Sequence, residues 1–302
     1  MNLKQVTIIS GKGGTGKTTI TASLAALSGN SVVADCDVDA ANLHLLLKPE
    51  IRKRHSFSGS SEAQINEEIC TGCGICRDHC RFDAVKSASG KKFFIDALSC
   101  EGCAVCYHVC PDNAVHLTPR NTGEWFISET AWGPMVHARL RAAEENSGKL
   151  VSEVRKEARR IAEKTNRNLV LIDGPPGIGC PVIASLSGSD TALIVTESTV
   201  AAQHDLERIL KTAGHFRIFC LCCLNKADLN PDIAQNIEEM CREKSIPLIG
   251  KIPYDEAAGE SIIMGQPLVE NSSGPAAAAI RAMWKELLHW ISKENRNEQT
   301  QN

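Results

Sequence analysis

The chain has 302 residues, 43% of them hydrophobic and 23% charged, with a formal net charge of −3. That length supports one large α/β core with a small inserted domain, and the slightly acidic balance excludes the basic footprint of a nucleic-acid-binding protein. No apolar run approaches the roughly 18 residues that span a bilayer, and Met1 leads straight into a strand-like stretch with no signal peptide. The expectation is a cytoplasmic protein without stable membrane insertion.

Val6 to Ile9 reads as a short buried strand, followed at once by Gly11, Lys12, Gly13, Gly14, Thr15, Gly16, Lys17, Thr18 and Thr19. Ile20 to Leu27 is alanine-rich and helical, and Ser31 to Asp37 is a second strand ending in carboxylates. This strand–loop–helix–strand order predicts an α/β nucleotide fold, a mostly parallel sheet with helices on both faces. The pattern breaks over residues 57–118, which are rich in Cys, Gly and Asp, with only short strand-like pieces such as Phe93 to Ile95. It resumes from Trp125. A helix is expected over 149–165, then strands at 169–173, 192–195 and 218–224, with helices at 203–212 and 233–244 between them. Pro275 opens a last helix to about Lys293, and a polar tail over 295–302 is expected to be disordered. The middle stretch is therefore an insert that divides one nucleotide-binding domain into 1–56 and 119–294.

Gly11 through Gly16-Lys17-Thr18 satisfies the P-loop spacing. Its backbone N–H groups converge on phosphate at the start of a helix, Lys17 neutralises the β- and γ-phosphates, and Thr18 holds Mg²⁺. Asp173, at the end of a buried strand facing this loop, is placed to meet the metal. Asp35 and Asp39 also read as turn or helix caps. Asn225-Lys226-Ala227-Asp228 ends another strand and looks like the guanine-reading motif of GTPases.

With its second lysine, Lys12, the loop resembles the deviant Walker A motif of the MinD/ParA/nitrogenase-iron-protein family, and the likeness covers most of the chain outside the insert. It implies that Lys12 reaches the partner's nucleotide across a homodimer, or a heterodimer with a paralogue. It implies that Asp37 orients the attacking water, that Asp173 begins the switch II segment, and that Asn225 and the backbone around Pro253 bind adenine. The deviant lysine points to ATP rather than GTP.

Fourteen cysteines are many for a reducing compartment, and eight lie between Cys70 and Cys110, which signals metal ligation rather than disulfides. Cys70, Cys73, Cys76 and Cys80 recur at an offset of 30 residues as Cys100, Cys103, Cys106 and Cys110. The spacing resembles bacterial two-cluster ferredoxins, in which the fourth cysteine of each run joins the other cluster. The resemblance implies two [4Fe–4S] clusters, one on Cys70, Cys73, Cys76 and Cys110, the other on Cys100, Cys103, Cys106 and Cys80. Zinc is the competing occupant, although structural zinc uses separated pairs of ligands rather than two interlocked runs. Arg81 stands where the second run has Pro111, and a guanidinium there is expected to raise the potential of the nearby cluster.

Cys180, past Asp173, occupies the place of a dimer-bridging ligand in the nitrogenase iron protein, but residues 125–169 contain no second cysteine; a small buried residue is the favoured reading. Cys220 and Cys223 alternate along a strand and are expected to be core. The last helix carries Ile280, Met283, Trp284, Leu287 and Ile291 on one side and is expected to pack on the domain. Three functions follow: an ATP-gated electron carrier with an unknown redox partner, an Fe–S cluster carrier of the Mrp type serving an acceptor protein, or a redox-sensing scaffold.

Overall fold

The computed structural model describes residues 3–88, 92–141 and 147–300. In chain order the elements are β1 (Lys4–Ser10), α1 (Lys17–Ser28), β2 (Ser31–Asp35), α2 (Leu43–Leu47) and β3 (Glu50–Phe57). The cysteine-rich stretch forms β4 (Ser60–Ile65), α3 (Ile75–Asp78), β5 (Val85–Ser87), β6 (Phe93–Ile95), α4 (Val105–Val109) and β7 (Val115–Arg120). Then come β8 (Gly123–Thr130), β9 (Gly133–Leu140), α5 (Ser147–Lys164), β10 (Leu169–Pro176), α6 (Cys180–Leu186), β11 (Thr191–Glu197) and α7 (Val200–His215). The chain closes with β12 (Phe219–Asn225), α8 (Pro231–Glu243), β13 (Leu248–Ile252), α9 (Ala257–Met264), α10 (Leu268–Asn271) and α11 (Pro275–Thr300). The described residues divide into two compact units, one within Met1–His55, Trp125–Arg139 and Ser147–Asn302, the other within Ser56–Glu124 and Leu140–Asn146.

The larger unit is built on a nine-stranded sheet in the order β13-β12-β11-β1-β10-β2-β9-β8-β3. Every pairing from β13 to β9 is parallel, as expected for strands that read as continuous apolar runs with both faces covered. Alternate residues serve the two faces: Val6 and Ile8 pack with Ile20, Leu24, Leu268 and Ile280, whereas Ile9 packs with Val182, Leu206 and Ile237. The same alternation sends Cys220 and Cys222 to the second face and Cys223 to the first. Ile280, Met283, Trp284, Leu287 and Ile291 of α11 are all buried in the first face, so this helix packs on the domain.

Three expectations change. The hairpin of β8 and β9, joined by the two-residue turn Ala131-Trp132 and laid between β2 and β3, was not legible, because its strands mix polar and half-buried residues where the central strands have continuous apolar runs. The last helix runs on to Thr300, into the stretch expected to lack structure; residues 301–302 lie outside the described residues. Cys180, expected to be buried, is exposed at the first position of α6.

The smaller unit has two antiparallel pairs, β4 with β7 and β5 with β6, and two short helices. Its internal duplication extends to the backbone. Left-handed residues recur at the 30-residue offset: Gly72 and Gly102, Gly74 and Ala104, Asp83 and Asn113. Its apolar core is small: Cys76, Val85 and Phe93, with Ile65, Cys80, Ile95 and Cys106 packed against them.

Candidate functional site

The parallel strands deliver their C-terminal ends to one edge of the sheet, where an α/β fold binds ligands. Gly16 ends the loop after β1 in the left-handed region, φ 88°. A side chain at Gly16 would also collide with the Asn225 amide, so this position needs glycine for two reasons. The loop lines a cleft of about 490 Å³ with Gly13, Gly14, Lys17, Thr18, Asp37 and Pro176, within the usual range for small-ligand sites. Gly14, Gly16 and Thr19 also line a second pocket with Asn225, Pro253 and Tyr254. The trough therefore runs from the phosphate loop to the segment expected to hold the base.

Charges at the loop are arranged around Lys17. Its Nζ donates to Asp173 Oδ1 at 2.8 Å and lies 3.7 Å from Asp37 Oδ2. Burial works against the ammonium, but Asp173, Asp37 and Asp35 outweigh it and hold the Lys17 pKa above the usual lysine range. Thr18 Oγ1 donates to Asp173 Oδ2 at 2.9 Å and Thr21 Oγ1 to Asp173 Oδ1 at 3.0 Å. The two groups expected at Mg²⁺, Thr18 and Asp173, thus already touch each other. Asp35 pairs in register with Asp173 across β2 and β10. Burial, followed by repulsion from Asp173, pushes its carboxyl well above the usual range. Asp35 Oδ1 accepts from the Asp37 N–H at 3.2 Å, an Asx-type turn of the kind expected for a capping residue. Asp35 Oδ2 and Thr15 Oγ1 are buried without a hydrogen-bond partner among the described residues. Buried polar atoms of this kind call for a ligand, ion or water.

Lys12 is held by its own chain. Its Nζ lies 2.5 Å from Glu197 Oε1 and 3.3 Å from Thr199 Oγ1. Lys226 reaches the other Glu197 oxygen at 3.0 Å and donates to the Gly14 carbonyl at 2.9 Å. Burial opposes the Glu197 carboxylate, yet Lys12 and Lys226 hold its pKa below the usual range. Asn225 Nδ2 donates to the Thr15 carbonyl at 2.8 Å, and Asp228 accepts from the Tyr254 N–H at 2.7 Å. Sequence reasoning missed Glu197 and Thr21. Glu197 ends a buried strand but its two lysine partners are remote in sequence; Thr21 carried no signal, since it lies inside a helix.

A sequence profile of the CobQ/CobB/MinD/ParA nucleotide binding domain matches residues 6–268. The chain belongs to this family. It is 32% identical over 293 residues to an uncharacterized protein of Methanocaldococcus jannaschii, spanning 96% of this chain and 98% of that one. Against a putative septum site-determining protein MinD of Mesostigma viride it is 27% identical over 282 residues, 89% of this chain and 77% of the relative. The cell division ATPase MinD of Pyrococcus furiosus superposes with a TM-score of 0.53 at 21% identity, covering 95% of this chain and 99% of that one. The septum site-determining protein MinD of Pyrococcus horikoshii, complexed with Mg-ADP, gives 0.53 at 20% identity over 94% and 96%. At those identities the structures establish the shared α/β P-loop fold alone.

Within the smaller unit the eight cysteines gather into two fours. Cys70, Cys73, Cys76 and Cys110 line one small cavity with Gly74, Phe93 and Pro111. Cys80, Cys100, Cys103 and Cys106 line the other with Phe82, Ala84 and Val105. The fourth thiol of each run crosses to the other site, the partition that the spacing suggests. Two backbone N–H groups point at sulfur: Ala84 at Cys80 Sγ and Ala114 at Cys110 Sγ, both at 3.3 Å. Burial, then the neighbouring thiols, pushes Cys106 up to about 11 and raises Cys76. Four thiols crowded in this way gain most from a positively charged occupant that takes them as thiolates. Among the described residues, no three His, Cys, Asp or Glu side chains are placed to hold one metal ion.

Proposed function

We propose that the chain is a nucleotide-switched iron–sulfur protein that binds and hydrolyses ATP with Mg²⁺ and exchanges electrons with a redox partner through two [4Fe–4S] clusters. The observation that carries this reading is the sorting of eight cysteines around two cavities, four to each, with one thiol exchanged between the runs. A single zinc needs four ligands converging at about 2.3 Å. Four thiols around each cavity match the four cysteine ligands that a [4Fe–4S] core takes. When bound, each cluster supplies one-electron transfer at a potential set by its surroundings. The chain's own part is to hold four thiolates, to direct the Ala84 and Ala114 N–H groups at sulfur, and to keep Cys73 and Cys103 at the surface. The insert is ferredoxin-like in this reading.

At the nucleotide, Lys17 and the loop bind the phosphates, Thr18 and Asp173 hold Mg²⁺, and Asp37 orients the attacking water. Asn225 and the Pro253 segment hold the base. Lys12 leaves Glu197 to engage the nucleotide of a second chain, so the dimer forms only with ATP bound. Eighteen residues lie between Asp37 and Ser56 along the chain, a short covalent path from the nucleotide switch to the insert. A second reading, a cluster carrier, rests on the exposed thiol of Cys180.

Anaerobic purification followed by iron and acid-labile sulfide analysis tests the core of the proposal. About eight of each per chain are expected, together with a change in cluster potential or electron-transfer rate on adding ATP and Mg²⁺. One zinc per site overturns it. Transfer of intact clusters to an apo-protein, with potentials indifferent to ATP, favours the carrier. Thermal stabilisation by GTP and not by ATP reverses the choice of nucleotide.

A further inference from the structure

The internal duplication lets each cysteine site serve as a control for the other. Both copies share the ligand spacing and the left-handed residues, and both fasten the turn after the fourth cysteine alike. The Asn66 N–H donates to the Ala114 carbonyl at 2.7 Å, and at the 30-residue offset the Asp96 N–H donates to the Ala84 carbonyl at 2.8 Å. The N–H bonds to Cys80 Sγ and Cys110 Sγ match as well, both at 3.3 Å. Three features do not match. Thr71, directly after Cys70, donates its hydroxyl to Asp112 Oδ2 at 2.6 Å, and both residues line the first cavity. That bond straps the segment carrying Cys70, Cys73 and Cys76 to the one carrying Cys110. The equivalent positions at the second cavity hold Glu101 and Phe82, and a phenyl ring has no group to complete such a bond. Phe93 walls the first cavity with the Arg77 guanidinium 5.2 Å from its ring centroid, where the second has Ala63. Cys76 is buried, whereas its counterpart Cys106 is half-buried.

We propose that the Cys80, Cys100, Cys103 and Cys106 site is the exchangeable one, loading and releasing its iron–sulfur core while the strapped Cys70, Cys73, Cys76 and Cys110 site keeps its own. This deepens the iron–sulfur part of the reading above and rests on it, but it needs no redox partner. In each site three ligands come from one segment and the fourth from another, so a core leaves only when the two segments part. At the first site parting must also break the Thr71–Asp112 bond, a hydroxyl-to-carboxylate contact stronger than a neutral one. At the second site no such strap resists it. Local openings become rarer as they break more interactions, so the two sites open at different rates although their ligands are the same. Release breaks the four iron–thiolate bonds. The freed thiolates and sulfides take up protons from the buffer, the iron passes to a chelator, and no electron is transferred.

The test treats the anaerobically purified full chain with excess EDTA and follows iron and sulfide release. Two phases are expected, the faster removing about half of each. Iodoacetamide added between the phases should label Cys80, Cys100, Cys103 and Cys106 and spare Cys70, Cys73, Cys76 and Cys110, read by peptide mass spectrometry; this readout needs no variant. Thr71→Val, which removes the strap's hydroxyl, should speed the slow phase about tenfold and leave the fast phase alone. Thr71→Ser, which keeps the hydroxyl, should behave as the wild type. Phe82→Asp/Glu101→Thr, which transplants the strap, should slow the fast phase about tenfold. A single phase in the wild type, labelling in the reverse order, or a Thr71→Val effect confined to the fast phase overturns the proposal. So does an order that reverses when neutral 1,10-phenanthroline replaces anionic EDTA, since charge at the mouth then decides access. Absence of iron and sulfide from the wild-type chain removes the underlying reading and this inference together, whereas two clusters released at one rate remove the inference alone.

Discussion

The nucleotide cleft and the cysteine unit are organised by opposite means. Around the P-loop the protein satisfies itself: Lys17 is paired with Asp173, Thr18 and Thr21 donate to the same carboxylate, and Glu197 takes both Lys12 and Lys226. Behind those groups lies a sheet with large apolar side chains buried on both faces. The cysteine unit has two short strand pairs and a core in which thiols stand where side chains of a larger domain would be. In the proposed reading, a ligand refines the first region but holds up the second. Small domains with little apolar core depend on metals or disulfides in general, and no disulfide is present among these cysteines.

The largest effect should follow from breaking that dependence. Stripping iron with a chelator, or the double change Cys76→Ser and Cys106→Ser, is expected to abolish slow hydrogen exchange across residues 60–120. Protection in β1, β10 and β11 should persist, and the apparent melting temperature of the larger unit should still respond to nucleotide. Simultaneous loss of both units would show that the sheet also leans on the metal. The reciprocal change is Lys17→Ala. It leaves Asp173 and Asp35 buried without their cation, which costs about 3 kcal/mol or more, and removes the phosphate-binding charge. Nucleotide-dependent thermal shifts and ATP turnover should vanish while iron and sulfide content stays at the wild-type value.

The same contrast explains what was legible in the sequence. The eight cysteines were grouped by a spacing that resembles two-cluster ferredoxins, in which the fourth cysteine of each run joins the other set, and the two cavities divide them in the same way. The P-loop was legible from its glycine and lysine spacing after an apolar strand, and the roles expected of Asp37 and Asn225 came from the family resemblance. The β8–β9 hairpin was not legible, since Trp125, Trp132, His137 and Arg139 mix aromatic and charged side chains along it. Glu197 escaped because its role comes from two lysines, one 185 positions before it in the chain and one 29 after it, a coincidence that folding creates. Cys180 was misjudged: read as a small buried residue beside the segment after Asp173, it stands exposed at the first position of α6.

That hairpin gives a smaller effect that separates the two units by pH. Burial, with a contribution from His44, lowers His137 to about 4, and its Nε2 lies 2.8 Å from Ser128 Oγ. Between pH 6.5, where an unfolded histidine titrates, and about 4 the unfolded chain takes up a proton that the folded chain refuses. Stability of the larger unit should therefore be complete above pH 6.5 and decline by up to roughly 3 kcal/mol on acidification to about pH 4. His137→Gln, which keeps hydrogen-bonding capacity without the titration, should flatten that slope in denaturant melts. An unchanged slope would assign it to the carboxylates instead.

The smallest expected effect concerns Arg81, where the duplication is imperfect. The turn after the fourth cysteine is the same in both copies: Asp83 N–H to the Cys80 carbonyl at 3.3 Å, Asn113 N–H to the Cys110 carbonyl at 3.4 Å. Both Asp83 and Asn113 are left-handed, with φ 50° and 52°. Proline at 111 is thus not needed to make the turn, and Arg81 differs from it chiefly by charge. Arg81 is exposed, so its field at the Cys80 site is screened to less than about 1 kcal/mol. For one electron that is under about 40 mV. Arg81→Pro should lower the potential of the Cys80, Cys100, Cys103 and Cys106 cluster by that amount or less and leave the other unchanged, as followed by redox titration with electron paramagnetic resonance. Equal movement of both potentials would mean that the substitution loosens the shared fold rather than removing a local charge, and the two halves would then have to be treated as one coupled site.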